Sequence, residues 1–236
     1  AREAVFKILA KEILSIHEKL IVILDMGSKI QQCINTDEYD NIKSVVNDYL
    51  KEGIAHTLDE TRNLSDSGQF EDISLQQGIR QILYPYEEME VLNPEWEVIL
   101  KDIIDSLFEQ MSDEEYNILN EEFGTYMVSR AYEYRQLLEY LVFRYFAKSI
   151  YDYDFLGKCQ MLVTNFFVIR QMDIIRWLDN HREYSFKDRM DVVHIFSRQV
   201  EYSEDNIENL YEDFIFDDIF KTDSLIAILW IDSENI

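Results

Sequence analysis

The 236-residue chain carries 47 acidic against 22 basic side chains, a net charge of −25 and a pI near 4.4, so a phosphate backbone would repel it and a nucleic-acid partner is excluded. Apolar residues, at 47%, suffice for a sizeable core, and only 6 Gly and 2 Pro favour long helices over a turn-rich sheet protein. Cys33 and Cys159 lie far apart and outside any CxxC pattern, which fits buried thiols in a reducing, cytoplasmic setting and excludes a four-cysteine zinc or iron–sulfur site within this chain.

Ala4, Val5, Ile8 and Leu9 predict a first short helix. Ser15 is placed to cap a second, whose apolar period runs through Ile16, Leu20, Ile23, Leu24 and Ile30 to about Cys33. After the turn cluster Asn35-Thr36-Asp37, a third helix carries Tyr39, Ile42, Val45, Val46, Tyr49 and Leu50 and is expected to end at Gly53. The polar stretch RNLSDSGQF marks an internal linker at 62–72. Ile73 to Leu83 is again helical, with Tyr84-Pro85 expected to stop it. Asn93-Pro94 opens the next helix with proline at its first position, and Ser112 with Glu115 forms a capping box.

The longest element is expected from about Glu121 or Thr125 to Tyr151, followed by a break at Tyr151-Asp152-Tyr153-Asp154. Phe155 to Leu178 is apolar nearly all round, which predicts a central helix. Its charged residues Arg170, Asp173 and Arg176 make it a poor membrane span, so no membrane partner is expected. Ser185 opens a further helix, and a last one runs from Ser203 towards Trp230. No strand pattern appears. The expectation is an all-α bundle of about nine to eleven helices, residues 1–236 forming one helical domain cut from a longer protein.

Sites with their own signature are missing. Neither GxGxxG nor GxxxxGK[ST] occurs, which speaks against a Rossmann cofactor site and a P-loop, and there is no HExxH or GxSxG. Asp191-x-x-His194 has the spacing of a carboxylate–histidine metal pair, but a di-metal bundle needs a second such motif, so no metal ligand is assigned. The aromatic run from Tyr140 to Phe155 is read as core rather than a stacking pocket.

The stretch 191–210, DVVHIFSRQVEYSEDNIENL, holds more. His194, Arg198 and Glu201, at i, i+4 and i+7, are expected to share one helix face. The helix breaks at Tyr202-Ser203, where Ser203 can cap a new helix with Glu204 and Asp205 in its first turn. Arg198 and Glu201 thus lie beside a helix N-terminus able to receive an anionic group.

Residues 196–210, FSRQVEYSEDNIENL, resemble the C-terminal signature of the flagellin lysine-N-methylase (FliB-like) family, with Gln199 and Tyr202 where Glu and His are usual. LLEYLVFRYF at 137–146 is similar to the family's Glu-Asn-Tyr-Leu-Val segment, with Glu139 in place of Asn, and VLNPEW at 91–96 to its Asn-x-x-Trp segment. Residues 15–49 resemble the helical pair that follows the family's cysteine-rich part. That amino-terminal cysteine cluster, which would hold an iron–sulfur cluster, is absent from this chain, and the resemblance implies that residues 1–236 are the carboxy-terminal helical module of a longer protein. The resemblance implies S-adenosylmethionine-dependent methyl transfer to the ε-amine of lysine in a protein substrate such as flagellin. It further implies catalytic roles for Glu201 and Tyr202, which would orient the amine, and a ligand-binding set of His194, Arg198, Ser203, Asn206, Glu139 and Tyr140. Arg198 would hold the cofactor carboxylate. The alternative is a non-catalytic helical domain that recognises the protein substrate.

Overall fold

In the computed structural model, which describes residues 1–234, every regular element is helical. The α-helical segments are α1 (Arg2–Leu9), α2 (Ile16–Asn35), α3 (Ile42–Asp48), α4 (Ile54–Asp66), α5 (Leu75–Glu87), α6 (Pro94–Ile103), α7 (Asp113–Met127), α8 (Ala131–Tyr145), α9 (Ser149–Asp152), α10 (Phe155–Asp179), α11 (Phe186–Phe196), α12 (Glu204–Phe216) and α13 (Thr222–Glu234). A π-turn joins α3 to α4, and two 3₁₀ turns join α7, α8 and α9, so these segments make ten continuous helices.

The starts of these helices follow from local chemistry. Ser15 accepts from the Glu18 amide at 3.1 Å while Glu18 reaches back to the Ser15 amide at 2.7 Å, and Ser112 with Glu115 and Ser185 with Asp188 repeat the box. Asn93 accepts from the Glu95 amide, with Pro94 in the first turn. Tyr153 takes a left-handed conformation at φ 57° to end α9, and Asp154 then caps α10 through the Gly157 amide at 2.8 Å.

Helix α10 is the axis of the molecule. It packs against α2, α5, α6, α8, α11, α12 and α13, and nearly every side chain on it is buried. α2 lies between α10 and α13, and it approaches α10 closely because Gly27 faces Cys159: a Cβ there would stand 2.6 Å from the Cys159 sulfur.

The polar residues of α10 are each answered by a different neighbour. Asn165 accepts from the Tyr86 hydroxyl at 2.8 Å, Gln171 from the Tyr116 hydroxyl at 2.9 Å, and Gln160 donates to the Phe220 carbonyl at 2.8 Å. Asp173, fully buried, receives Arg189 at 2.5 Å, the Tyr134 hydroxyl at 2.7 Å and the Tyr184 hydroxyl. Arg189 continues to Glu133 at 3.1 Å, and Glu133 to Arg130 at 2.7 Å. Arg170 faces Asp232 of α13, which also holds His17 of α2. Burial opposes the charge on Asp232, but Arg170, His17 and Asn120 outweigh it and hold the carboxyl well below the usual carboxylate range.

Several boundaries differ from the sequence expectation. The third helix does not stop at Gly53, because a π-turn at Tyr49–Gly53 carries it into α4. Arg62 to Asp66 of the expected linker therefore finishes α4, and the loop lies at 67–74. Pro85 does not stop α5, which runs to Glu87. In the last turn a proline displaces only one backbone bond, so the helix tolerates it. The long helix ending near Tyr151 begins already at Asp113 and is interrupted by 3₁₀ turns at Val128–Arg130 and Phe146–Lys148. The last helix breaks at Asp217 into α12 and α13. The aromatic run divides as well: Tyr145, Phe146 and Phe155 are core, whereas Tyr140, Phe143, Tyr151 and Tyr153 are exposed.

Gly27→Ala should destabilise the protein by about 1–3 kcal/mol through overpacking against Cys159. Urea unfolding should show at least half of that loss recovered in the Gly27→Ala/Cys159→Ala double variant, since the two sites touch.

Candidate functional site

Three helices present the same four-residue row to one open groove of about 600 Å³. α6 contributes Glu95, Val98, Ile99 and Asp102; α10 contributes Met172, Ile175, Arg176 and Asp179; α11 and the turn after it contribute Asp191, His194, Ile195 and Arg198. Each row is spaced i, i+3, i+4 and i+7, which puts its members on one helical face. The middle positions are mainly apolar and make the floor. The charged residues rise around it as a rim of four carboxylates against Arg176 and Arg198, with the His194 imidazole beside them.

None of these rim side chains makes a hydrogen bond or ion pair with another described residue. Arg198 and His194 are exposed, and His194 is the groove's only imidazole among the described residues. Side-chain charge that no ion pair within the protein neutralises leaves the rim as a field available to a ligand. The volume is within the range of small-molecule sites.

The expected common face of His194, Arg198 and Glu201 does not form. After Phe196 the helix widens into a π-turn, Ser197–Glu201, which rotates the residues beyond Arg198 relative to an α-helix. Glu201 is thereby turned away from the groove and into contact with α8. There it accepts from the Tyr140 hydroxyl at 2.7 Å and from Arg144 Nε at 3.0 Å, and its own carbonyl accepts from Arg144 Nη2. Desolvation and the hydrogen bond to Glu201 push the Tyr140 hydroxyl up to about 12. Glu139 lies one residue away on α8 and faces Arg135 at 3.9 Å, so it joins neither group. Tyr202 is exposed at the surface.

Ser203 and Asn206 form a clamp. Ser203 caps α12 by accepting from the Asn206 amide at 3.1 Å. The Asn206 side chain accepts from the Glu90 amide at 3.0 Å and donates to the carbonyls of Glu90 and Gln199. Gln199 completes it, accepting from the amides of Leu92 and Asn93 and donating to the Glu90 carbonyl. The strand-like strap at 90–93 is thus held by side chains where no helix or sheet satisfies it, and Asn93 then caps α6. The clamp sets the position of one groove wall.

The eight expected site residues therefore fall in distinct places. His194 and Arg198 meet in the groove, Glu201 meets Tyr140, Ser203 and Asn206 meet in the clamp, and Tyr202 and Glu139 stand apart. Glu95, Asp102, Arg176 and Asp179 were missed as groove residues. Their signal is the 0-3-4-7 spacing in three helices, with both ends charged in two of them and Asp179 closing the third, but nothing local says that these faces converge.

Among the described residues, no His, Cys, Asp and Glu side chains gather as a set of three able to hold a metal ion, and both cysteines are buried. No helix of the structure is long and apolar enough to cross a membrane. What this architecture defines is an all-helical module with an open, charge-rimmed groove. Residues 2–228 match the family model described as the FliB lysine N-methylase C-terminal domain, and the chain belongs to that family. Comparison with curated proteins and with solved structures finds no match.

Asn206→Ala should cost about 1–3 kcal/mol, because it leaves buried backbone groups of the strap unsatisfied. Hydrogen exchange should localise the loss to the amide of Glu90 and its neighbours. Glu201→Gln should lower the Tyr140 hydroxyl from about 12 towards the ordinary tyrosine range, since it removes a negative charge that opposes phenolate formation. Ultraviolet titration of tyrosinate, compared between the two proteins, reads this directly.

Proposed function

We propose that this chain is the helical part of an S-adenosylmethionine-dependent protein lysine N-methyltransferase, and that the groove between α6, α10 and α11 receives the lysine-bearing segment together with the amino-acid end of the cofactor. The observation that supports this reading is the rim of unpaired charge over an apolar floor. A lysine side chain has a four-carbon stem and a cationic tip, and the floor of Ile99, Met172, Ile175 and Ile195 suits the first while the carboxylates suit the second. Arg198 offers a planar pair of donors to a carboxylate, and the amino-acid end of the cofactor carries one.

S-adenosylmethionine, when bound, would supply an electrophilic sulfonium methyl group, the broken S–C bond leaving its electron pair on the departing thioether. The chain's own task is to deliver a neutral amine aligned with it. Free His194 stands at the groove and can take the ammonium proton, leaving the nitrogen lone pair for the new bond to carbon. Glu201 acts as a positioning residue, tying the π-turn that carries Arg198 to α8 through Tyr140 and Arg144. Tyr202, exposed one residue further, offers contact to the protein substrate. Flagellin as that substrate, an iron–sulfur cluster in a segment outside this chain and a cytoplasmic site of action belong to the same proposal and rest on the family.

A second reading is favoured by the openness of the groove to solvent: a recognition module that holds the lysine-bearing segment while the cofactor binds elsewhere. Calorimetric titration of S-adenosylmethionine into this chain separates the two. In the first reading it binds, and Arg198→Ala weakens it by about tenfold or more. In the second it does not bind, while a lysine-bearing flagellin peptide binds and Asp191→Lys weakens that peptide without altering the melting temperature. Neither ligand binding would remove both readings.

A further inference from the structure

Where the end of α10 meets α7, a shallow cleft of about 500 Å³ opens that shares no lining residue with the groove. Two aromatic rings line it, Trp177 of α10 and Tyr126 of α7, with centroids 5.6 Å apart and planes inclined by 47°. The Tyr126 hydroxyl accepts from the Tyr184 amide at 2.9 Å, which holds that ring in place. Glu121 and Glu122 of α7 add two exposed carboxylates to the same cleft.

One cation of the chain already sits there. After α10 ends, the Arg182 amide donates to the Trp177 carbonyl at 2.7 Å, and the side chain lies back over the indole. Its guanidinium stands 5.2 Å from the ring centroid and pairs with Glu122 at 2.8 Å. Arg182 holds this place with φ at 68°, in the left-handed region that side chains rarely adopt. Beneath it Trp177 is 3% exposed, whereas the Arg182 side chain is 55% exposed and so is free to swing into water. The Glu121 side chain makes no hydrogen bond or ion pair with another described residue, so two carboxylates answer one guanidinium.

We propose that this cleft binds a methylated ammonium group, which takes the place of the Arg182 guanidinium on Trp177. The guanidinium shows what the rings and carboxylates recognise: a broad, weakly hydrated cation. A methylated ammonium has the same character, because its methyl groups keep water from the charge. A bare lysine ammonium is compact and strongly hydrated, and loses more on stacking. An anion would meet two carboxylates, and an uncharged guest would gain nothing from them. Leaving costs Arg182 little, since an exposed ion pair contributes little. The site stands without the methyl-transfer reading; under that reading its ligand is the tip of the product, a methylated lysine.

The test uses the full chain and a capped tripeptide centred on trimethyllysine. Two counterparts carry unmodified lysine or the neutral analogue with carbon in place of the charged nitrogen, and choline serves as a free quaternary amine. Trimethyllysine should bind about fivefold or more tighter than either counterpart and shift the Trp177 indole resonance. Glu121→Lys should weaken it by about fivefold, and Arg182→Gly, which suits the left-handed backbone, should strengthen it by about threefold. Choline binding as tightly as the tripeptide identifies a free amine as the ligand, and weaker choline binding a protein-borne lysine; either upholds the site. Equal binding of trimethyllysine and its neutral analogue overturns the proposal, as do equal binding of unmodified lysine and weakening by Arg182→Gly. So does binding that Asp191→Lys abolishes and Glu121→Lys leaves unchanged, which belongs to the groove, or no binding up to about 50 mM.

Discussion

The structure depends on the polar residues buried along α10. A helix enclosed on all sides could rotate or slide if its surface were uniformly apolar, since burial is non-directional. Here Asn165, Gln171, Gln160, Asp173 and Arg170 each require a particular partner, drawn from α5, α7, the turn before α13, α8 and α11, and α13. A mispositioned neighbour would strand a buried charge or hydroxyl, which costs far more than the pair contributes when made. Such pairs act on register more than on total stability.

That register carries through to the groove. Met172, Ile175, Arg176 and Asp179 occupy the groove-facing row of the same helix whose other faces are pinned by Asp173 and Gln171. α11 is anchored to α10 by Arg189 on Asp173, so Asp191, His194 and Arg198 are held opposite that row. The clamp of Gln199 and Asn206 then fixes the strap from which α6 starts. Two of the segments through which the chain resembles its family, 91–96 and 196–210, are therefore one physical unit, bonded to one another across more than a hundred residues.

The π-turn at Ser197–Glu201 divides the labour within that unit. It leaves Arg198 over the groove and sends Glu201 to Tyr140 and Arg144. A wide turn costs helical regularity and is common where a side chain must be re-aimed. Here it lets five consecutive residues serve two faces: Arg198 towards solvent, and Gln199 and Glu201 towards separate neighbours.

What the sequence by itself determined is what local chemistry controls. The helical class, the caps at Ser15, Asn93, Ser112, Ser185 and Ser203, the centrality of residues 155–178 and a break before Phe155, narrowed to Tyr153-Asp154, all follow from spacing and capping within a few residues. Tertiary structure decided the rest. Gly53 and Pro85 signal a stop only in isolation, and packing carried both helices through. The 197–201 segment reads as an ordinary helix because α and π turns use the same residue types, and the choice falls to distant partners such as Leu92 and Tyr140. The groove likewise needed three helices to converge, and a helix face carries no record in its own residues of which other faces it will meet.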